Sequence, residues 1–441
     1  MHKIYFNYII LFVLFILSNI SIPQIGFFTF GICLLIIILN NNKNNLNLLF
    51  FLIPNIRILD QTGVTFLINI LLFAISIKFI LIDDENKLKV LKHFDLKLLF
   101  CGILIFFIEI THFILSDKSV WNYLFVALNI SFNFLACIKI IKKDIQYENY
   151  KQLGLSLLFG VACSSFSFII ANPDTINRIY NSVYRFQAYG NDPNYFSLYI
   201  ITGVTTLLFG GAQNKNKFVE ILLIIICILI GFMTASKMFT LCILLTGILY
   251  MYFIVFHQNY KKTILTIITT LLVVYIVNKL FGSNFEFLFN KIISRFNIKE
   301  NGQVTMSGIT TGRSTLLEEY IYYIGQDLIS LFFGRGINYF GFYKQLGLSY
   351  IAHNTYLDFL LSWGIIGSTI FILCFIFNIK NEISNKNKKY NQYIPLCLLL
   401  IMLLSLSCMA ADMFWYLLAL VVLPLKFSSK FKEGEIKWIY W

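Results

Sequence analysis

Apolar runs of about 17 to 25 residues, each long enough to cross the hydrocarbon core of a bilayer as a helix, recur along almost the whole chain. They lie near 4–20, 25–40, 62–82, 98–116, 119–138, 152–171, 194–211, 218–235, 238–256, 263–281, 355–379, 392–407 and 411–426. Backbone in hydrocarbon must satisfy its own hydrogen bonds, so such a pattern predicts an all-α, polytopic transmembrane bundle. A weaker run, Leu46 to Ile58, holds Pro54 and Arg57 and reads as either a short span or a re-entrant piece. The expected count is therefore about 12–14 spans. Composition agrees, with 58% of the 441 residues hydrophobic and only 13% charged, far from the balance of a soluble domain. The first run follows Lys3 as a signal sequence would, yet no small-residue cleavage site comes after it, so it is expected to stay as the first helix.

A formal charge of +13 would suit a nucleic-acid partner if it formed one patch, but the lysines fall in short loops between apolar runs, so no nucleic acid is expected. Lys87, Lys89, Lys92 and Lys97 form one basic loop and Lys139, Lys142, Lys143 and Lys151 another; Lys215 with Lys217, Lys261 with Lys262, and Lys386 with Lys388 and Lys389 form three more. Such loops stay cytoplasmic. Two loops of different character are then left outside, a small one at 172–193 with Arg178 and Arg185 but no Lys, and a large one at 282–350. The organisation read from this is an N-terminal transmembrane bundle at 1–281, the large extracytoplasmic loop at 282–350, and C-terminal helices with a cytoplasmic tail at 351–441. A loop of that length is uncommon unless functional; its scattered aromatic and aliphatic residues predict short helices on the membrane face, such as Thr315 to Ile324. The nine cysteines lie in or beside apolar stretches without metal-type spacing, so neither a disulfide framework nor a metal site is expected.

Chemistry concentrates in a few short motifs. Gly334-Arg-Gly-Ile-Asn-Tyr-Phe is followed by Ala352-His-Asn-Thr-Tyr-Leu-Asp and then by Trp363-Gly-Ile-Ile-Gly. Ahead of them come Arg185 to Asn194 (RFQAYGNDPN), Thr234-Ala-Ser-Lys and Thr311-Gly-Arg-Ser. Taken in this order, over roughly residues 160 to 426, they resemble the signature of the O-antigen ligase and Wzy-type polymerase superfamily. Lys237 departs from the pattern, which usually has Arg there; a lysine keeps the charge but loses the bidentate fork.

The resemblance implies a membrane glycosyltransferase of the GT-C-like type in the bacterial cytoplasmic membrane, with its active site outside. It would move a sugar chain from a polyprenyl diphosphate to a glycan hydroxyl, without cofactor or metal, and work with membrane lipids, a flippase and a chain-length regulator. Arginine suits the departing diphosphate and histidine suits the acceptor proton near neutral pH. The implied catalytic residues are His353, Arg313 and Arg185, and the implied substrate-binding residues are Arg178, Lys237, Arg335, Asn354 and Asn194. Asn354 reads equally well as a helix cap, Arg178 and Arg335 as anchors to lipid phosphates, Lys237 as an interfacial anchor and Arg295 as a solvated loop charge. Glu109 and His112, three apart on one helix face, read as a mutually satisfied pair or as part of a proton path. Lys78 is placed to snorkel to the cytoplasmic interface. A ligase acting on lipid A core, a protein oligosaccharyltransferase and, more distantly, a flippase share enough of these features to stay open.

Overall fold

The computed structural model describes residues 2–18, 23–55, 57–59, 67–81, 96–114, 120–143, 147–181, 184–190, 192–209, 217–256, 279, 286–287, 290–294, 299–300, 303–304, 312–337, 343–383, 390–409 and 411–426. Regular structure among them is helical, apart from a two-residue antiparallel ladder of β1 (Lys299–Glu300) with β2 (Gln303–Val304). In chain order the helices are α1 (His2–Ser18), α2 (Pro23–Leu39), α3 (Asn42–Leu52), α4 (Leu67–Leu81), α5 (Leu96–Ile114), α6 (Val120–Lys142), α7 (Tyr147–Ala171), α8 (Thr175–Asn181), α9 (Pro193–Phe209), α10 (Lys217–Met233) and α11 (Lys237–Tyr250). They continue with α12 (Arg313–Gln326), α13 (Leu328–Phe333), α14 (Thr355–Ile383), α15 (Ile394–Leu403) and α16 (Asp412–Val422). Among the described residues two are long and apolar enough to cross a membrane, α14 and the Tyr150–Ala171 part of α7, and shorter apolar helices of 10–17 residues include Gln24–Leu39, Phe218–Met233 and Lys237–Phe253. The run expected at 263–281, apart from Lys279, the loop lysines at 87–92, 215, 261–262 and 386–389, and Arg295 lie outside the described residues.

Within Leu46 to Ile58 the helix is short. Its helix, α3, has 11 residues and is about 16 Å long, half of a bilayer core. It is buried from Leu46 to Ile53 and gives way to a 3-10 turn at Ile53–Asn55. Asn55 Nδ2 donates to the carbonyls of Phe51 (2.9 Å) and Gly160 (3.2 Å), and Ser164 Oγ donates to Pro54 O at 2.9 Å. The Asn55 side chain and Ser164 of α7 thereby satisfy carbonyls of the interrupted backbone, and Gly160 O anchors that side chain, the condition under which non-helical chain is tolerated inside an apolar bundle.

Polar groups sort to the two ends of the helices. At one end lysines close helix C-termini, whose last carbonyls lack partners. Lys78 Nζ donates to Ile37, Ile38 and Asn40 at the end of α2, and Lys426 Nζ to Ile141, Lys142 and Lys143 at the end of α6. Lys426 also pairs with Glu382 at 2.9 Å, and Lys151 with Glu220 at 2.9 Å. The starts of α9, α11 and α14 meet at the opposite end.

Helix α14 is broken at Gly364, whose φ of 63° and ψ of −171° are non-helical. The break releases the carbonyls of Leu361 and Ser362, which accept from the amides of Arg335 and Gly336, both at 2.7 Å. Backbone meets backbone here: a Cβ on Gly334 would lie 2.3 Å from Ser362 O, and one on Gly364 would lie 2.4 Å from the Phe332 carbonyl. The two glycine motifs are therefore two halves of one joint. Around the first turns of α14 a second, smaller core gathers Tyr320, Ile324, Leu348, Ala352, Leu357 and Leu361, which fixes α12 against the chain leading into α14.

Candidate active site

Three chain segments close around Arg185. Helix α10 ends at Met233, and a tight turn, Thr234-Ala-Ser, leads into α11, with Ser236 Oγ accepting from Phe239 N as the N-cap. The turn leaves the Thr234 carbonyl open to Arg185 Nε at 3.1 Å. Arg185 Nη2 donates to Asn194 Oδ1 at 2.9 Å, and Ser236 Oγ donates to the same oxygen at 2.9 Å. Asn194, at the start of α9, is oriented by Asp192, whose Oδ1 accepts the Asn194 amide at 2.7 Å. Ser197 and Thr234 join their hydroxyls at 2.9 Å. Asn194 is buried, so its observed role is to hold Arg185.

His353 sits two residues before α14 with its ring against Tyr350, centroids 5.2 Å apart at 27°. Burial lowers its pKa below the ordinary histidine value, the Arg313 charge lowers it further, and Asp192 opposes both. The charges that bear on this imidazole thus come from the start of α12 and from the small loop. Arg313 follows Gly312, a left-handed residue at the head of α12. Helix α12 is tied to the His353 segment by Tyr320 OH donating to Tyr350 O at 2.8 Å and by Ser349 Oγ donating to Glu319 Oε2 at 2.6 Å.

Asn354 caps α14: its Oδ1 accepts from the amides of Tyr356 (3.0 Å) and Leu357 (3.3 Å). Arg335 turns into the large loop, with Nε on Ser330 Oγ at 2.6 Å and an ion pair to Asp327. Burial works against both charges of that pair, but Tyr323 and Asp327 outweigh it to raise Arg335, and hydrogen bonds from Ser330 and Arg335 outweigh it to hold the Asp327 carboxyl low. Arg178 is exposed on α8, and Lys237 is half-buried as the first residue of α11. Glu109 and His112 do not pair. Glu109 Oε1 accepts from Trp363 Nε1 (2.5 Å) and Ile337 N (3.1 Å), and His112 Nε2 meets Phe333 O at 2.8 Å, so both grip the glycine joint because its backbone is what they face.

Several contributors carry no strong sequence signal. Lys291 Nζ donates to the carbonyls of Ile179 (2.8 Å) and Tyr184 (2.7 Å), tying the large loop to the segment that bears Arg185. Tyr195 OH donates to Ser407 O, and Ser407 Oγ donates to Asp358 Oδ1 at 3.2 Å. Thr355 Oγ1 donates to Leu406 O at 2.5 Å. The buried link between α15 and α16 is thus stitched to α9 and α14 directly beneath His353. Asp192 stands inside the RFQAYGNDPN motif, where the turn-forming residues around it mask its charge.

Among the described residues, the non-glycine residues with positive φ are Ala188 (45°), Ala235 (46°) and His353 (47°). All three belong to the segments that build this site. Left-handed backbone costs an L-residue about 1–2 kcal/mol and collects where function fixes the geometry. Comparison with protein-family models, with curated proteins and with solved structures finds no match for this chain.

Proposed function

We propose that this chain is a polytopic membrane glycosyltransferase that polymerises polyprenyl-diphosphate-linked oligosaccharide units on the outer face of a bacterial cytoplasmic membrane. The observation that carries the reading is an Arg185 held through Nε and Nη2 by Thr234 and Asn194 at the start of α9, the helix whose Tyr195 reaches by way of Ser407 to α14, which His353 precedes. The lysines that close the ends of α2 and α6 accord with a cytoplasmic side. Exposed Phe218, Ile221, Leu244, Ile248, Leu373 and Phe377 on α10, α11 and α14 form apolar surface of a kind that water does not favour and lipid does.

In the reaction, the acceptor hydroxyl oxygen attacks the anomeric carbon as its proton passes to the neutral imidazole of His353. The bond from that carbon to the diphosphate oxygen breaks, and the electron pair stays on the diphosphate, opposite the guanidinium groups of Arg313 and Arg185. The lowered pKa of His353 keeps it unprotonated and ready to accept at neutral pH.

The test is a gel profile of surface glycan from cells lacking the protein, complemented with wild type or with His353→Ala. Single units capped onto the usual acceptor, with no ladder, are expected for the variant. Long polymer left on its lipid carrier would make the protein a ligase, and units trapped inside would make it a flippase.

A further inference from the structure

Helix α13 is six residues long, and four of them turn outward: Leu328, Ile329, Phe332 and Phe333 are 64%, 60%, 45% and 56% exposed. Ser330, 0% exposed, faces in. We propose that this face docks among the acyl chains of the outer leaflet, so that the large loop is anchored in the bilayer beside the catalytic residues. The inference rests on the membrane reading given above.

Its seat sets its depth. Phe333 O meets His112 in the last turn of α5, and Ile337 N meets Glu109 one turn further in. On the other side Phe332 and Phe333 abut Gly364, nine residues into α14. The helix is therefore wedged between two apolar helices, inside their ends, at a height where Phe107 and Ile365 are also exposed. Charge agrees with that depth. The two ionisable residues flanking α13, Asp327 and Arg335, are bonded to each other, and a neutralised pair tolerates the membrane interface where a lone charge would not. Tyr322, 68% exposed on α12, supplies the amphipathic ring typical of the headgroup layer. Four side chains make a face far smaller than the roughly 800 Å² per partner of a stable protein interface, which favours lipid over a second protein.

Nitroxide labels read this directly. With Cys397→Ser removing the exposed thiol, the remaining cysteines are buried, and Ile329→Cys or Phe332→Cys can be labelled in the full-length protein. After reconstitution into vesicles of phosphatidylethanolamine and phosphatidylglycerol, the ratio of oxygen to nickel-chelate accessibility is expected to match that of a label at Leu373→Cys on α14. It should exceed that at Glu318→Cys, an exposed acidic position on α12, several-fold. A ratio equal to that of Glu318→Cys, or labels shielded from both reagents as under a protein partner, would overturn the proposal. If the Leu373→Cys label itself reads as water-exposed, the membrane reading fails and this one with it; an α13 label in water with Leu373→Cys in lipid sinks this inference alone.

Discussion

Trp363 donates its indole N–H to Glu109 at 2.5 Å, and through that bond α5 holds α14 one residue before its break. The same carboxylate accepts the Ile337 amide at 3.1 Å, so one side chain secures both halves of the glycine joint. A hydrogen-bonded, fully buried carboxylate is expensive to replace with an apolar group, because two donors are left without partners.

Glu109→Leu is therefore expected to cost about 2–5 kcal/mol, and Glu109→Gln, which keeps one acceptor oxygen, about half that. Thermal unfolding in detergent measures both. Equal and negligible losses would mean that the carboxylate does not bear on the joint.

Gly364→Ala should be among the worst small substitutions in the protein. It adds a Cβ 2.4 Å from the Phe332 carbonyl and asks an alanine to adopt φ 63°. Left-handed backbone and overpacking together cost on the order of 3 kcal/mol or more. Gly325→Ala, with nothing within 4 Å of the added carbon, is the control and should be neutral or mildly stabilising. Folded yield after purification separates the two.

The His353 environment predicts opposite shifts from two neighbours. Burial and then Arg313 lower its pKa, while Asp192 raises it. Arg313→Gln removes a cation, so protonation becomes easier and the pKa moves up; Asp192→Asn removes an anion, and the pKa moves down. The pH dependence of His353 modification by diethyl pyrocarbonate, read by mass spectrometry, follows the neutral imidazole without needing activity. Shifts in the same direction would separate these residues from His353.

Asn194→Ala leaves Arg185 with its Thr234 contact but without the amide oxygen that aims its outer nitrogen. Loss of aim by about 1 Å can lower turnover on the order of 100-fold. Polymer ladders from the variant should shorten or vanish at unchanged protein level, and Asn194→Asp, which keeps the acceptor oxygen, should restore most of the signal. A full ladder from Asn194→Ala would show that Arg185 needs no such aim.

Helical character and a histidine at the mouth of a helix are legible in the chain because apolar period and Asn-capped starts are local signals. Residues 392–407 and 411–426 show where local signals stop: the helices there end at Leu403 and resume at Asp412. The intervening backbone is held by Thr355 and Tyr195 from distant segments. The Glu109 and His112 partners escaped for the same reason. Spacing puts two side chains on one face, but the groups opposite them lie more than 200 residues later in the chain.

The opening of α14 at Gly364 also bears on how the molecule is made. The amides of Arg335 and Gly336 leave the ribosome before the carbonyls of Leu361 and Ser362 that they bind. Until α14 is in place they depend on water or on passing partners. The joint can therefore set only after the chain as far as Gly364 has been made, so the segment that bears Arg335 waits for one synthesised after it.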